Sequence, residues 1–292
     1  MKQIAFSLLL GSLLTSPPAL AQTSPTAGII TYEGMRQIDR SQMRMVINGQ
    51  EVRPGSPGAP EGPEGMPEVM SFTQKLVFSG TMAKEERDRN QNMMMRRTVG
   101  GDGAGDRSGT PRETRLTPPV EQTTFLDLAN RQRIDVMTIK KDSVSTTYRT
   151  ERPMPNAENW QPSDKTKKIA GYLCHKATAT ASLGRQRNRA GGSNEAPAKA
   201  ETYTVWYTTD LPFTYSPVAA LTPEKGVVLQ IESDNESFKA TSISTEAVAG
   251  SAVQPPADAK AISSDEMEQL RRKAMADFRQ KMMSRSPFPG RN

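Results

Sequence analysis

The stretch RIDVMTIKKDSVSTTYRT (133–150) decides the fold class. In its first half Ile134 and Val136 fall on one side of an extended chain, and Met137 and Ile139 on the other. Its second half is rich in Thr, Ser and Tyr, and Asp142 marks the boundary. The spacing predicts two strands, 133–141 and 142–150. Working outward, the same composition recurs between Gly, Asp, Asn or Pro boundaries at 28–34, 42–47, 71–80, 122–129, 168–181, 201–212, 226–233 and 238–248. Short strands with no helical period between them predict a mainly β protein, an antiparallel curved sheet or half-barrel. Its concave face needs cover from a helix, a loop or a ligand; lipoprotein-carrier folds offer an analogy of architecture.

The ends of the chain read differently. MKQIAFSLLLGSLLTSPPALAQ (1–22) has one lysine, a short apolar run and Ala19-Leu20-Ala21, the pattern of a signal peptide cleaved after Ala21. The run is too short to span a bilayer, which takes about 20 residues. Near the other end, Ser263 and Glu266 form a capping box. Met267, Leu270, Ala274, Phe278 and Met282 recur at helical spacing, predicting an amphipathic helix over 263–285. It docks on the sheet, hangs free, or meets a partner or membrane surface. The expected organisation is a signal peptide (1–21), a β domain (22–248), a linker (249–262), the helix, and a tail (286–292). Mobile insertions in the β domain, Pro- or Gly-rich or polar, are expected at 53–69, 96–119 and 183–200.

Composition narrows the function. The chain of 292 residues carries 38 basic and 32 acidic side chains, a net charge of +6. The basic runs lack the interleaved aromatics of a nucleic-acid module. Cysteine occurs once and histidine once, adjacent, in KKIAGYLCHKATATA (167–181). On one regular strand Cys174 shares a side with Tyr172 and Lys176, and His175 lies opposite with Ile169 and Leu173. The two cannot then share a proton, and no second histidine orients them. One Cys and one His are too few ligands for zinc. We read Cys174 as a small buried thiol beside Tyr172. An intermolecular disulfide or a redox-sensitive thiol are the other readings.

Around this stretch, NWQPSDKTKKIAGYLCHKATA and YTVWYTTDLP supply Trp160, Thr166, Lys167, Ile169, Gly171, Tyr172, Cys174, Lys176 and Ala177, then Trp206, Tyr207, Thr208, Leu211 and Pro212. This pattern resembles the signature region of the GLPGLI family of secreted Bacteroidota proteins over residues 125–245. The resemblance implies export and a β fold. It implies no activity, because the family has none established, and we take its signature positions as structural. The departure is at the eponymous hexapeptide, where Pro223 and Gly226 are separated by Glu224-Lys225 and followed by Val227-Val228-Leu229.

Enzymatic chemistry is hard to place. No nucleophile-base set and no phosphate loop stands out. GGDGAGDRSG (100–109) lacks calcium-loop spacing. The 16 methionines include Met43 and Met45, Met93-Met94-Met95 and Met282-Met283. Thioethers select Cu(I), so a copper binder is an alternative, but adjacent methionines on a strand cannot converge on one ion. The sequence therefore predicts an exported, non-enzymatic binding protein of the cell envelope. It would take an apolar ligand or a protein partner and no cofactor or metal. An interaction module working through its C-terminal helix, and an enzyme of unidentified class, are the alternatives. The mature chain is expected to start at Gln22, which intact-mass measurement of exported protein checks; a mass retaining residues 1–21 contradicts it.

Overall fold

The computed structural model describes residues 26–37, 45–47, 50–52, 69–88, 118–141, 144–182 and 200–284. The first strand, β1 (Ala27–Gln37), is followed by a small hairpin of β2 (Met45–Ile47) and β3 (Gln50–Val52). Five strands then run as a meander: β4 (Val69–Ser79), β5 (Met82–Arg87), β6 (Val120–Asp127), β7 (Gln132–Lys141) and β8 (Val144–Pro153). A second meander follows: β9 (Glu158–Ile169), β10 (Tyr172–Ala181), β11 (Glu201–Thr208), β12 (Val227–Glu232) and β13 (Glu236–Ser244). Last come β14 (Lys260–Ala261) and the helix α1 (Ser264–Ser284).

β1 joins the two meanders, pairing with β4 on one side and β13 on the other. The result is one open sheet of twelve strands, ordered β14-β8-β7-β6-β5-β4-β1-β13-β12-β11-β10-β9. Every pairing is antiparallel except β14, which runs parallel to β8. The mainly β half-barrel with a C-terminal helix is the architecture expected.

Its curvature follows from one connection. β8 and β9 stand ten strand spacings apart in the sheet. Laid flat at about 4.8 Å each, that is nearly 50 Å. Yet only residues 154–157 join them, and five residue steps extend no further than about 18 Å. The sheet must roll until its two margins approach. The strap is pinned where it crosses. Met154 N–H donates to Arg131 O (2.8 Å), and Ala157 N–H donates to Thr222 O (2.8 Å). The Arg131 guanidinium donates to Asn156 Oδ1 (2.6 Å) and to Glu224 O (2.7 Å).

Inside the roll, Ile30, Tyr32, Leu76, Phe78, Leu126, Ile169, Cys174 and Leu229 share one core. The segment between β11 and β12, residues 209–226, folds into it as a plug. Leu211, Tyr215 and Leu221 are buried, and Tyr215 forms an isolated parallel bridge with Val227. Phe213 packs against Phe78 with ring centres 4.9 Å apart. The Tyr32 hydroxyl donates to Val228 O (2.9 Å), tying β1 to the strand behind the plug.

Several expectations need correction. The run 168–181 is not one strand. Ala170 and Gly171 take left-handed conformations (φ 48° and 89°) and turn the chain from β9 into β10. Strands β3, β5, β9 and β14 were not anticipated: β9 is exposed along most of its length, so it has no alternation to read. The linker is packed rather than free. Val253 in its 3-10 turn is fully buried, Ala259 is buried, and Lys260 and Ala261 join the sheet edge as β14. The insertions 53–69, 96–119 and 183–200 lie outside the described residues except at their ends, as do the signal peptide and the tail.

Gly226 closes the plug with φ +98°, and a Cβ there would sit 2.4 Å from Thr208 O. Gly80, with φ +61°, has open space around it. Gly226→Ala is expected to cost about 2–4 kcal/mol and Gly80→Ala about 1 kcal/mol. Urea-unfolding midpoints check the difference, and equal costs would refute the tight-plug account.

Candidate functional site

One row of cross-strand neighbours shows how the concave face changes character. In register, Ile30, Leu76, Glu85, Thr124, Asp135 and Thr150 stand side by side on β1, β4, β5, β6, β7 and β8. Neighbours in register point to the same face. The face is therefore apolar at the middle of the sheet and polar toward β8. The plug covers the apolar part. The polar part lies under α1.

The helix is positioned by the segment before it. β14 lies along β8, and Ile262 N–H donates to Arg149 O (2.9 Å). Ser263 then caps the helix: Glu266 N–H donates to Ser263 Oγ (3.2 Å), and Ser263 N–H donates to Glu266 Oε2 (2.9 Å). This is the predicted capping box. Ser264 and Thr150 share a hydrogen bond of 3.2 Å, and Met267 is buried against the sheet.

Between α1 and the sheet is a cleft of about 260 Å³, lined by Gln122, Thr124, Arg133, Asp135, Arg152 and Arg271 among others. Asp135 is its centre. Thr124 Oγ1 (3.0 Å) and Arg133 Nε (3.0 Å) donate to its Oδ1, and Arg152 Nη2 (2.7 Å) donates to its Oδ2. Arg133 Nη2 donates to Thr124 Oγ1 (3.0 Å). On the helix side Arg271 grips Glu268 with two bonds, Nε (2.7 Å) and Nη2 (2.8 Å), and Arg272 Nε adds a third (2.8 Å). These hydrogen bonds hold the Glu268 carboxyl down to about 2. Such a pair persists in mild acid and loosens only as pH falls through that value.

The cleft is tied to the plug. Gln74, fully buried, donates to the Tyr215 hydroxyl (2.8 Å), which donates to Glu85 Oε1 (3.1 Å). Glu85 Oε2 lies 3.6 Å from Arg133 Nη1. Burial first, and the Glu85 charge next, push the Tyr215 hydroxyl well above its ordinary value, so it stays a neutral donor. A second cavity beside Glu85, Tyr215 and Thr222 has only about 10 Å³, about the room of one water.

The residues singled out from sequence gather elsewhere, on β9, β10 and β11. Trp160 and Tyr207 meet edge to face at 5.2 Å, and the Lys167 ammonium sits 4.0 Å over the Trp206 ring. Burial lowers the Lys167 ammonium, and Glu232 opposes the effect. Lys176 pairs across from Trp206, while Gly171 and Pro212 are exposed at turns. None of Trp160, Gly171, Tyr172, Cys174, Lys176, Trp206, Tyr207 or Pro212 lines the cleft. Of the helix face, Met267 lines it, Leu270 and Phe278 are half-buried, and the Met282 side chain is outside the described residues. The cleft residues escaped sequence reading because Thr124, Arg133 and Asp135 look like the solvent side of ordinary strands.

Cys174 and Lys176 do not share an environment, contrary to strict alternation. Burial falls at Cys174 and then at Ala177, Ala179 and Ala181, a slip of one residue. At the same level the β9–β10 register shifts between His175 and Lys176, and β11–β12 between Trp206 and Tyr207. Bulges of this kind re-aim side chains. Among the described residues no group of three or more His, Cys, Asp or Glu is placed to hold a metal. No helix among them is long and apolar enough to cross a membrane. No protein-family model matches the chain, and no curated protein matches it.

Burial raises the Cys174 thiol to about 11. Only the thiolate is reactive, so native protein is expected to resist alkylation at pH 8 while urea-denatured protein reacts fully. An unfolded thiol ionises near 8.5. The contribution to stability is complete below that value and is lost as pH rises toward 11. Cys174→Ser is expected to cost about 1–3 kcal/mol by burying a hydroxyl too far for a normal bond from Tyr172 O, which lies 3.6 Å from the thiol sulfur. Rapid alkylation of the native fold would overturn the buried-thiol assignment.

Proposed function

We propose that this chain is an exported, non-enzymatic binding protein of the cell envelope, and that it holds a small polar ligand in the cleft between α1 and β6–β8. The leader-like N-terminus and the resemblance to the GLPGLI family support export. The observation that carries the binding reading is the prior pairing of the cleft's charges. Asp135 and Glu268 are each held by two arginines. A wall held in place before the ligand arrives loses little on binding. Its two lining carboxylates, Asp135 and Glu268, are each held by arginines, which opposes their use as a general base or nucleophile.

The nature of the cover turns the ligand from apolar to polar. The apolar part of the concave face is filled by Leu211, Phe213 and Tyr215, and the cavity left there is water-sized. The larger space lies against hydroxyls and guanidinium groups.

A second reading, an interaction module acting through α1, has one observation behind it. The buried anchor of the helix is Met267 in its first turn, whereas Phe278 stays half-exposed. The two readings separate on substitution. Met267→Asp is expected to lower the melting temperature by roughly 5–10 °C, from a loss of about 2–3 kcal/mol, and to empty the cleft of any small molecule seen by native mass spectrometry. Phe278→Asp is expected to leave both unchanged. If Phe278→Asp abolishes co-purification of a protein partner at an unchanged melting temperature, the interaction reading replaces the cleft reading.

A further inference from the structure

We infer that the cleft selects an oxyanion, a small carboxylate or phosphate, and this rests on the binding reading above. The inference comes from counting what the walls have left to offer. The acceptor oxygens of the three carboxylates in and beside the cleft are engaged. Asp135 Oδ1 takes Thr124 and Arg133, and its Oδ2 takes Arg152. Glu268 Oε1 takes Arg271 and Arg272, and its Oε2 takes Arg271. Glu85 Oε1 takes Tyr215, and its Oε2 faces Arg133.

The donors are not used up. A guanidinium has five N–H groups. Arg152 commits Nη2 to Asp135, and its side chain is 54% exposed. Arg271 commits Nε and Nη2 to Glu268, which leaves Nη1. Both line the cleft. They come from opposite walls, one from β8 and one from α1. Ser264 adds the first turn of the helix, the end that favours negative charge.

Charge points the same way. Among the lining residues, Arg133, Arg152 and Arg271 carry three positive charges against two on Asp135 and Glu268. The surplus is one positive charge. A carboxylate accepts about four hydrogen bonds, so a ligand that only donates would find one place left on each of Asp135 and Glu268, both already flanked by two arginines. A ligand that only accepts finds two guanidinium forks, the residues suited to planar or tetrahedral oxyanions. The volume, about 260 Å³, has room for a small anion.

The experiment is isothermal titration of the full mature chain with inorganic phosphate, with succinate and with glucose, at constant ionic strength, because screening alone weakens exposed charge pairs. Phosphate or succinate is expected to bind in the millimolar range or tighter, and glucose at least tenfold more weakly. Which anion binds tighter separates a phosphate from a carboxylate ligand. Arg152→Gln and Arg271→Gln are each expected to weaken the anion at least tenfold, with unchanged circular dichroism. Arg149→Gln, outside the cleft lining, is the control for general charge and keeps wild-type affinity. Anion affinity that survives Arg152→Gln and Arg271→Gln overturns the inference. Glucose binding that Thr150→Val abolishes, with no anion binding, also overturns it but leaves the cleft a binding site. No heat with any of the three probes, and no small molecule on the natively purified chain, removes both the inference and the binding reading.

Discussion

Residues 154–157 are the constraint on which the architecture depends. Four residues cannot bridge the width of a flat twelve-stranded sheet, so the sheet has to curl. Curling creates an inside, and an inside must be filled. The plug at 209–226 does this with Leu211, Phe213 and Tyr215. The hydrogen bonds from Arg131 to Asn156 and Glu224 hold strap and plug to the β6–β7 turn. Arg131 itself has φ 52°, an unusual conformation for a non-glycine residue, held by these partners.

The two covers of the concave face differ in kind. The plug is connected at both ends to sheet strands, β11 and β12, and leaves almost no free volume. The helix arrives from a two-residue strand, is anchored by its first turns, and leaves a polar recess. The network from Gln74 through Tyr215, Glu85 and Arg133 to Asp135 runs between them. The position of the plug and the geometry of the cleft are thus set by one set of bonds. Partly buried networks of this sort fix geometry because each unmet group would carry a desolvation cost.

Much of the fold was legible in the sequence, for physical reasons that also explain the failures. Strands buried on one or both sides, such as β1, β7 and β12, carry their apolar residues in order. The capping box and Met267 placed the helix. Edge strand β9 could not be read, because Pro162, Lys165 and Lys168, residues that suit an exposed edge, leave no pattern. The hairpin turn at Ala170-Gly171 was hidden inside an apparently continuous run. For the cleft, the decisive relations are lateral. Arg133 and Asp135 matter because Thr124 and Arg152 stand next to them on other strands, and that adjacency has no signature along the chain.

The place of β1 carries a kinetic consequence. This is the first strand among the described residues, yet it sits at the centre of the sheet, with Ile29 opposite Ser244 and Arg36 opposite Glu236. Neither meander can be joined to the other until some two hundred residues have followed β1. Loop closure over such distances makes folding slow. A chain that emerges with its N-terminus first therefore stays without its final topology almost until synthesis ends.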